Sequence, residues 1–217
     1  MSSKVIVLGT MHVSEGECNA SSLLQIVHEI SPNTIYFEAS EIKYPQMLKA
    51  VDYFNTPEIQ VLRKIEKESA IGIKPVDLDD DPFDGRLEAM LELFPRHVPD
   101  YEYASLIQRN EAIRLGFGFL NSSDNDKINS DKAAMERIFI DKVQDKFIKK
   151  TYSEWLEWND LRENIWISKI HEHILKMRAD KTMLIIGSAH RIRLKEKVSK
   201  LKFLDQSIPD WEFNYFG

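Results

Sequence analysis

The 217-residue chain carries a formal charge of −6, with 43% hydrophobic and 29% charged residues. These values describe an ordinary globular chain, long enough for one sizeable α/β domain. The acidic balance argues against a duplex nucleic-acid partner, which needs a basic footprint, and no apolar run reaches the length of a membrane span.

In chain order, the first apolar run is Val5–Leu8, inside "VIVLGTMH". The residues before it lack the long apolar region and cleavage site of a signal peptide, so a mature N-terminus is expected. Cys18 is the single cysteine, which excludes an internal disulfide and fits a reducing, cytoplasmic setting. Glu15 and Glu17 flank it and disfavour a thiolate, so no nucleophilic role is expected. A helix over Ser21–Ile30 presents Leu23, Leu24, Val27 and Ile30 on one side. The second run is Thr34–Phe37, and a second helix over Pro57–Ser69 leads to the third run, Ile71–Val76. The fourth is Met183–Ile186, inside "MLIIGSAH". All four runs are nearly continuous rather than alternating, as in strands of a parallel sheet buried on both faces.

Residues 82–180 read differently. They show helical periodicity and no convincing strand, with "NSSDNDKINSD" (Asn121–Asp131) expected as a loop between helices. A last helix over Ser153–Met177 returns the chain to the sheet, and the tail "DWEFNYF" supplies a candidate edge strand. The expected fold is one α/β domain with a mostly parallel central sheet of four or five strands flanked by helices. Residues 1–81 and 181–217 form the sheet core, and 82–180 form an all-helical insertion before the last core strand.

Four strands then deliver polar groups at one edge. His12 lies just beyond Gly9, Glu38 closes the second strand, Asp77 closes the third, and His190 lies just beyond Gly187. In open parallel sheets the carboxyl edge is where loops converge on a ligand crevice. A carboxylate ending a buried strand needs a partner such as His⁺, Arg or a metal. Two imidazoles and a carboxylate (His12, Glu38 and His190) suit a divalent Zn, Mn, Fe or Co ion. The same set equally suits metal-free catalysis, with His as base and Glu as its orienter. Gly9 and Gly187 are expected to let the chain turn sharply, with Thr10 and Ser188 holding the turn.

The two Gly-x-x-His motifs "GTMH" and "GSAH", with the glutamate of "IYFEAS", resemble a known superfamily. It comprises TraB/PrgY pheromone-shutdown proteins, Tiki metalloproteases and erythromycin esterase-like hydrolases, and more broadly the haem-iron protein ChaN. "RENIWISKI" (Arg162–Ile170) resembles the helix that precedes the last motif in those proteins. Arg162 and Ile170 match that pattern, while Glu163 stands where Asn or Asp is usual and Trp166 replaces Met. The resemblance covers about half the chain and implies that His12, Glu38, Arg162 and His190 line the site. It also implies a hydrolase of peptide or ester bonds, metal-dependent as in the Tiki proteins or metal-independent as in the esterases, or a metal or haem binder without turnover. The expected partner is a small-molecule or peptide substrate, with Arg162 facing a developing oxyanion.

Other features are read as structural. His171 and His173 in "HEH" lie on different helix faces and are expected to be solvated. Asp77, Asp79, Asp81 and Glu88 have calcium-loop spacing, but Pro82 occupies the position that needs glycine. "GFGFLN" follows a helix pattern and lacks a third glycine, which excludes a dinucleotide loop. The basic stretch after His190 reads as a solvated helix face. Trp155, Trp158 and Trp166 read as helix packing.

Overall fold

The computed structural model describes residues 3–79, 82–177, 181–204 (backbone only from 202) and 209–216. Its strands are β1 (Lys4–Thr10), β2 (Thr34–Phe37), β3 (Gly72–Pro75), β4 (Lys181–Gly187) and β5 (Asp210–Glu212). All pair in parallel, in the order β3-β2-β4-β1-β5. β1 and β2 are consecutive in sequence yet not neighbours, because β4 is inserted between them near the end of the chain. The register sets Thr10 opposite Gly187 and Phe37 opposite Ile185, so the two Gly-x-x-His segments leave adjacent strands.

Side chains alternate across a strand, and here both faces are covered. Ile6, Leu8, Ile35, Phe37, Met183 and Ile185 pack with helices α1 (Ala20–Ile30) and α3 (Pro57–Glu68). Val5, Val7, Tyr36, Leu184 and Ile186 pack on the opposite face. That two-sided burial explains why these runs are apolar without alternation. Both helices are capped as their sequences ask. Asn19 Oδ1 accepts from Ser22 N–H, Thr56 Oγ1 accepts from Ile59 N–H, and Pro57 fills the first turn of α3. A short helix, α2 (Lys43–Lys49), follows β2.

The segment between β3 and β4 is helical as expected. It comprises α4 (Arg86–Leu91), α5 (Leu93–His97), α6 (Pro99–Leu115), α7 (Phe117–Leu120), α8 (Ser123–Lys142) and α9 (Lys146–Met177). Met90, Phe94, Ile140 and Tyr152 form a small core of its own. The second half of α9 leaves that core and covers the sheet with Trp166, Ile167, Ile170 and Ile174. Beyond β4, one 3-10 turn (Ser188–His190) leads into α10 (Arg191–Leu204), and β5 then pairs with β1 as the edge strand read from the tail.

The expected loop at Asn121–Asp131 is instead mostly the start of α8. Ser122 caps it by accepting from Asn125 N–H at 3.2 Å. Two of its polar residues, Asn125 and Asp126, turn inward, which apolar periodicity does not register. Asn125 donates to Leu120 O at 2.9 Å and accepts from Gln108 at 2.7 Å. Asp126 pairs with Arg191 at 3.1 Å. Arg191 is itself only 1% exposed, so the basic stretch after His190 begins inside the molecule. His173 is likewise not fully solvated, for its Nδ1 lies 2.9 Å from Tyr36 Oη. Asp81, from the calcium-like spacing, lies outside the described residues.

Candidate active site

The strand order sets the order of side chains along the carboxyl edge: Asp77 after β3, Glu38 after β2, His190 after β4 and His12 after β1. A Cβ placed on Gly187 would lie 3.5 Å from His12 Nε2, 3.6 Å from Glu38 Oε2 and 3.7 Å from His190 Cδ2. Two histidines from opposite ends of the sequence thus face one spot, with Glu38 between them.

Arg162 reaches the same edge from α9 and ties the carboxylates together. It donates from Nε and Nη2 to Asp77 at 2.9 and 2.6 Å, and from Nη2 to Glu38 Oε1 at 2.7 Å. Nη1 donates to Asn159 Oδ1 at 3.3 Å. Trp166 adds its indole N–H to Asp77 Oδ1 at 3.0 Å, and its ring lies 5.1 Å from the Arg162 guanidinium. Burial pushes the Asp77 carboxyl up, but the Arg162 and Trp166 hydrogen bonds outweigh it and hold Asp77 below its usual range. Asp77, expected as a site residue, is therefore the anchor of Arg162. A guanidinium so committed serves as a clamp more readily than as a free oxyanion donor.

His190 is set by Glu163, a fully buried residue on α9. Its Nδ1 lies 2.8 Å from Glu163 Oε1, which requires a proton on Nδ1 and turns Nε2 toward Glu38, 3.5 Å away. Arg193 reaches the same Glu163 oxygen at 2.6 Å, and Lys197 lies 3.5 Å from the other. Burial raises the Glu163 carboxyl, and His190 with the two cations more than reverses this. The edge of Trp166 packs on the His190 ring at 5.0 Å. Glu163 departs from the Asn or Asp of the resembling motif, and its longer carboxylate is what touches the imidazole.

His12 has a parallel but looser support. Its Nδ1 lies 3.4 Å from Oε1 of Glu58, a fully buried carboxylate in the first turn of α3. The Thr10 and Thr56 hydroxyls, with His12, favour the charged form of Glu58, as does the helix N-terminus. Glu58 raises the His12 pKa above the ordinary value. Burial raises Glu58 itself, and His12 outweighs this to leave it lowered. Unlike His190, the His12 side chain is 58% exposed.

Glu58 escapes a sequence reading, and Glu163 enters one only as the departure from the Asn or Asp of the resembling motif, because a charged residue on a helix ordinarily faces water. The one available signal is position: Glu58 follows a Thr-Pro cap, and Glu163 follows Arg162 directly.

The motif glycines do not serve a left-handed turn, and at Gly9 close approach is what requires the glycine. Neither has a positive φ among the described residues. A Cβ on Gly9 would meet Arg191 Cδ at 2.6 Å and Ser188 Cβ at 3.0 Å. Asn121 fixes that point, accepting from Gly9 N–H at 2.7 Å and donating to Gly9 O at 2.9 Å, so a side-chain amide from the insertion pairs with the strand end. Cys18 is buried and donates to Ala112 O at 3.3 Å. Burial foremost, with Glu58 and Glu17, pushes its thiol up to about 12, which agrees with no nucleophilic role.

The donor set does not hold a metal as arranged. Glu38 Oε1 takes Arg162 and Oε2 takes the Gly187 N–H at 2.7 Å. Among the described residues, no three His, Cys, Asp or Glu side chains gather in metal-holding geometry. An ion held by His12, Glu38 and His190 would share Glu38 with Arg162 and the Gly187 N–H. No helix among the described residues is long and apolar enough to cross a membrane. The chain matches no family model, no curated protein and no solved structure.

Proposed function

We propose that the chain is a hydrolase of ester or peptide bonds, working at the carboxyl edge of the sheet and related to the TraB/Tiki and erythromycin esterase-like superfamily. The observation that carries this reading is the convergence of His12 Nε2, Glu38 and His190 on Gly187, with each imidazole backed at Nδ1 by a buried glutamate. An imidazole oriented at Nδ1 by a carboxylate is the arrangement that makes the other nitrogen a proton acceptor or donor. His12, open to solvent, takes a proton from water as the water adds to the substrate carbonyl. His190 Nε2 delivers a proton to the leaving group, and the two imidazoles return to their starting states by exchange with solvent. Arg162 holds Glu38 in place, and the helical insertion shapes the approach. The metal-free form is the working reading, with Glu38 accepting from Arg162 and the Gly187 N–H.

The test is a panel of small esters and short peptides, assayed after chelation and after addition of Mn, Co, Zn or Fe. Chelator-resistant turnover that is lost in both His12→Ala and His190→Ala supports the reading. Turnover that requires added metal moves the chemistry to the metal-dependent form. Absence of hydrolysis across the panel in every condition overturns it.

A further inference from the structure

A cavity of about 180 Å³ lies beside Asp77 and Arg162, where the sheet edge meets the helical insertion. Phe83 and Leu87 wall it from the segment entering α4, and Trp155 and Trp158 wall it from α9. Both tryptophans are only partly buried, in contrast to Trp166 on the same helix, which is fully buried. The Phe83 wall is built in. Asp84 and Gly85 both take left-handed backbone (φ 47 and 79) to turn the chain there, and Phe83 is 1% exposed. The Arg86 guanidinium covers the Phe83 ring at 5.3 Å and reaches Glu154 of α9 at 3.1 Å, so both walls are held to one another.

We propose that this cavity receives a single-ring aromatic group of the substrate, leaving the scissile carbonyl toward Glu38 and the two imidazoles. The proposal rests on the hydrolytic reading above and adds a substrate class to it. Size is the first argument: the volume is near the roughly 150 Å³ at which an apolar cavity holds one benzene ring, so it is sized for a single ring, with Lys43, Asn159, Asp77 and Arg162 supplying the polar part of its lining. The walls are the second. Phe83, Trp155 and Trp158 line it, and the part-exposed surfaces of the two tryptophans regain burial when a ring enters. The floor is the third: Arg162 and Asp77 line the cavity, and Arg162 is hydrogen-bonded to Glu38 of the neighbouring site.

The test uses the full chain carrying His12→Ala, so that binding is read without turnover. N-acetylphenylalaninamide, N-acetylglycinamide and the naphthylalanine amide are titrated by ligand-detected NMR. The phenyl probe is expected to bind about tenfold or more tightly than the glycine probe, and the naphthyl probe no better than glycine. Leu87→Trp, which fills the cavity, is expected to abolish the phenyl preference. Trp158→Ala, which removes one wall, is expected to admit the naphthyl probe. Equal binding of all three probes overturns the proposal, as does a phenyl preference that neither variant changes. The methyl esters separate the two readings in the otherwise native chain. Phenyl binding without ester hydrolysis supports the pocket and removes the hydrolase. Equal hydrolysis of the glycine and phenylalanine esters removes the pocket and keeps the hydrolase.

Discussion

The two Gly-x-x-His segments share a sequence device but not an environment. His190 is 12% exposed, with Nδ1 held at 2.8 Å by a glutamate that two further cations pin in place. His12 is 58% exposed and sits at the longer distance of 3.4 Å from its glutamate, whose other polar neighbours are the hydroxyls of Thr10 and Thr56. The same four-residue ending therefore gives one locked imidazole and one that water reaches freely. The contrast comes from the supporting helices. Glu163 sits mid-helix on α9 and packs against α10, whereas Glu58 lies in the first turn of α3, beneath the loop after β1. A locked ring suits directional proton delivery to a leaving group, and an accessible ring suits activation of water.

The largest effect that could break this pairing is on turnover. Replacing either imidazole by alanine is expected to lower kcat by about 10²–10⁴-fold, the range for losing a general acid or base. A loss confined to one variant, measured on a hydrolysed ester, would show that the two rings do not act together. Next comes stability. Glu163→Ala removes the shared partner of His190, Arg193 and Lys197, and is expected to destabilise by roughly 3 kcal/mol in urea unfolding. That is the low end for breaking a buried ion pair, because Arg193 and Lys197 reach water. An unchanged midpoint would mean that His190 is not held by Glu163.

The motif glycines sharpen the comparison further. Gly9→Ala drives a methyl into Arg191, whose guanidinium is bonded to Asp126, Asn121 and Phe213 O, and is expected to cost about 1–3 kcal/mol. Gly187 has φ −58 and only ordinary contacts at its Cβ position, so Gly187→Ala is expected to be neutral or to stabilise by about 0.4–1 kcal/mol. That methyl nevertheless stands in the space faced by both imidazoles, and activity is expected to fall. Thermal unfolding beside an ester assay checks both. A destabilised Gly187→Ala, or one of full activity, would place the reacting centre elsewhere.

What the sequence made legible follows from which forces leave a pattern. β1, β2 and β4 were readable because burial on two faces forces continuous apolar runs, and Thr34–Phe37 appears with the expected limits. β3 lies at the sheet edge and is only partly buried, against the expectation of burial on both faces. Glu38, His12, Asp77 and His190 stood out because they end such runs. Glu163 drew notice only as a departure from the resembling motif and Glu58 not at all, since a carboxylate turned inward on a helix has the same letters as one turned outward. The start of α8 was hidden for a related reason: Asn121, Asn125 and Asp126 make a polar seam to Gly9, Leu120 and Arg191, and polar seams carry no apolar period.

The smallest predicted effect tests the looser of the two pairs directly. Glu58 raises the His12 pKa above its ordinary 6.5, so the acid limb of the pH–rate profile, which follows a neutral base, should lie above that value. Glu58→Gln removes the charge and should return the limb toward 6.5, with the alkaline limb unmoved. Stability carries the same signature with a definite sign. A raised imidazole contributes fully below 6.5 and loses that contribution as pH rises through its folded-state value. The lowered Glu58 contributes above its ordinary 4.5 and loses it as pH falls through its own folded-state value. The His12–Glu58 pair therefore supports the fold most strongly between those two limits, and only modestly, because His12 is open to solvent. A Glu58→Gln profile identical to that of the unaltered chain would detach Glu58 from His12 and leave Glu163–His190 as the one working pair.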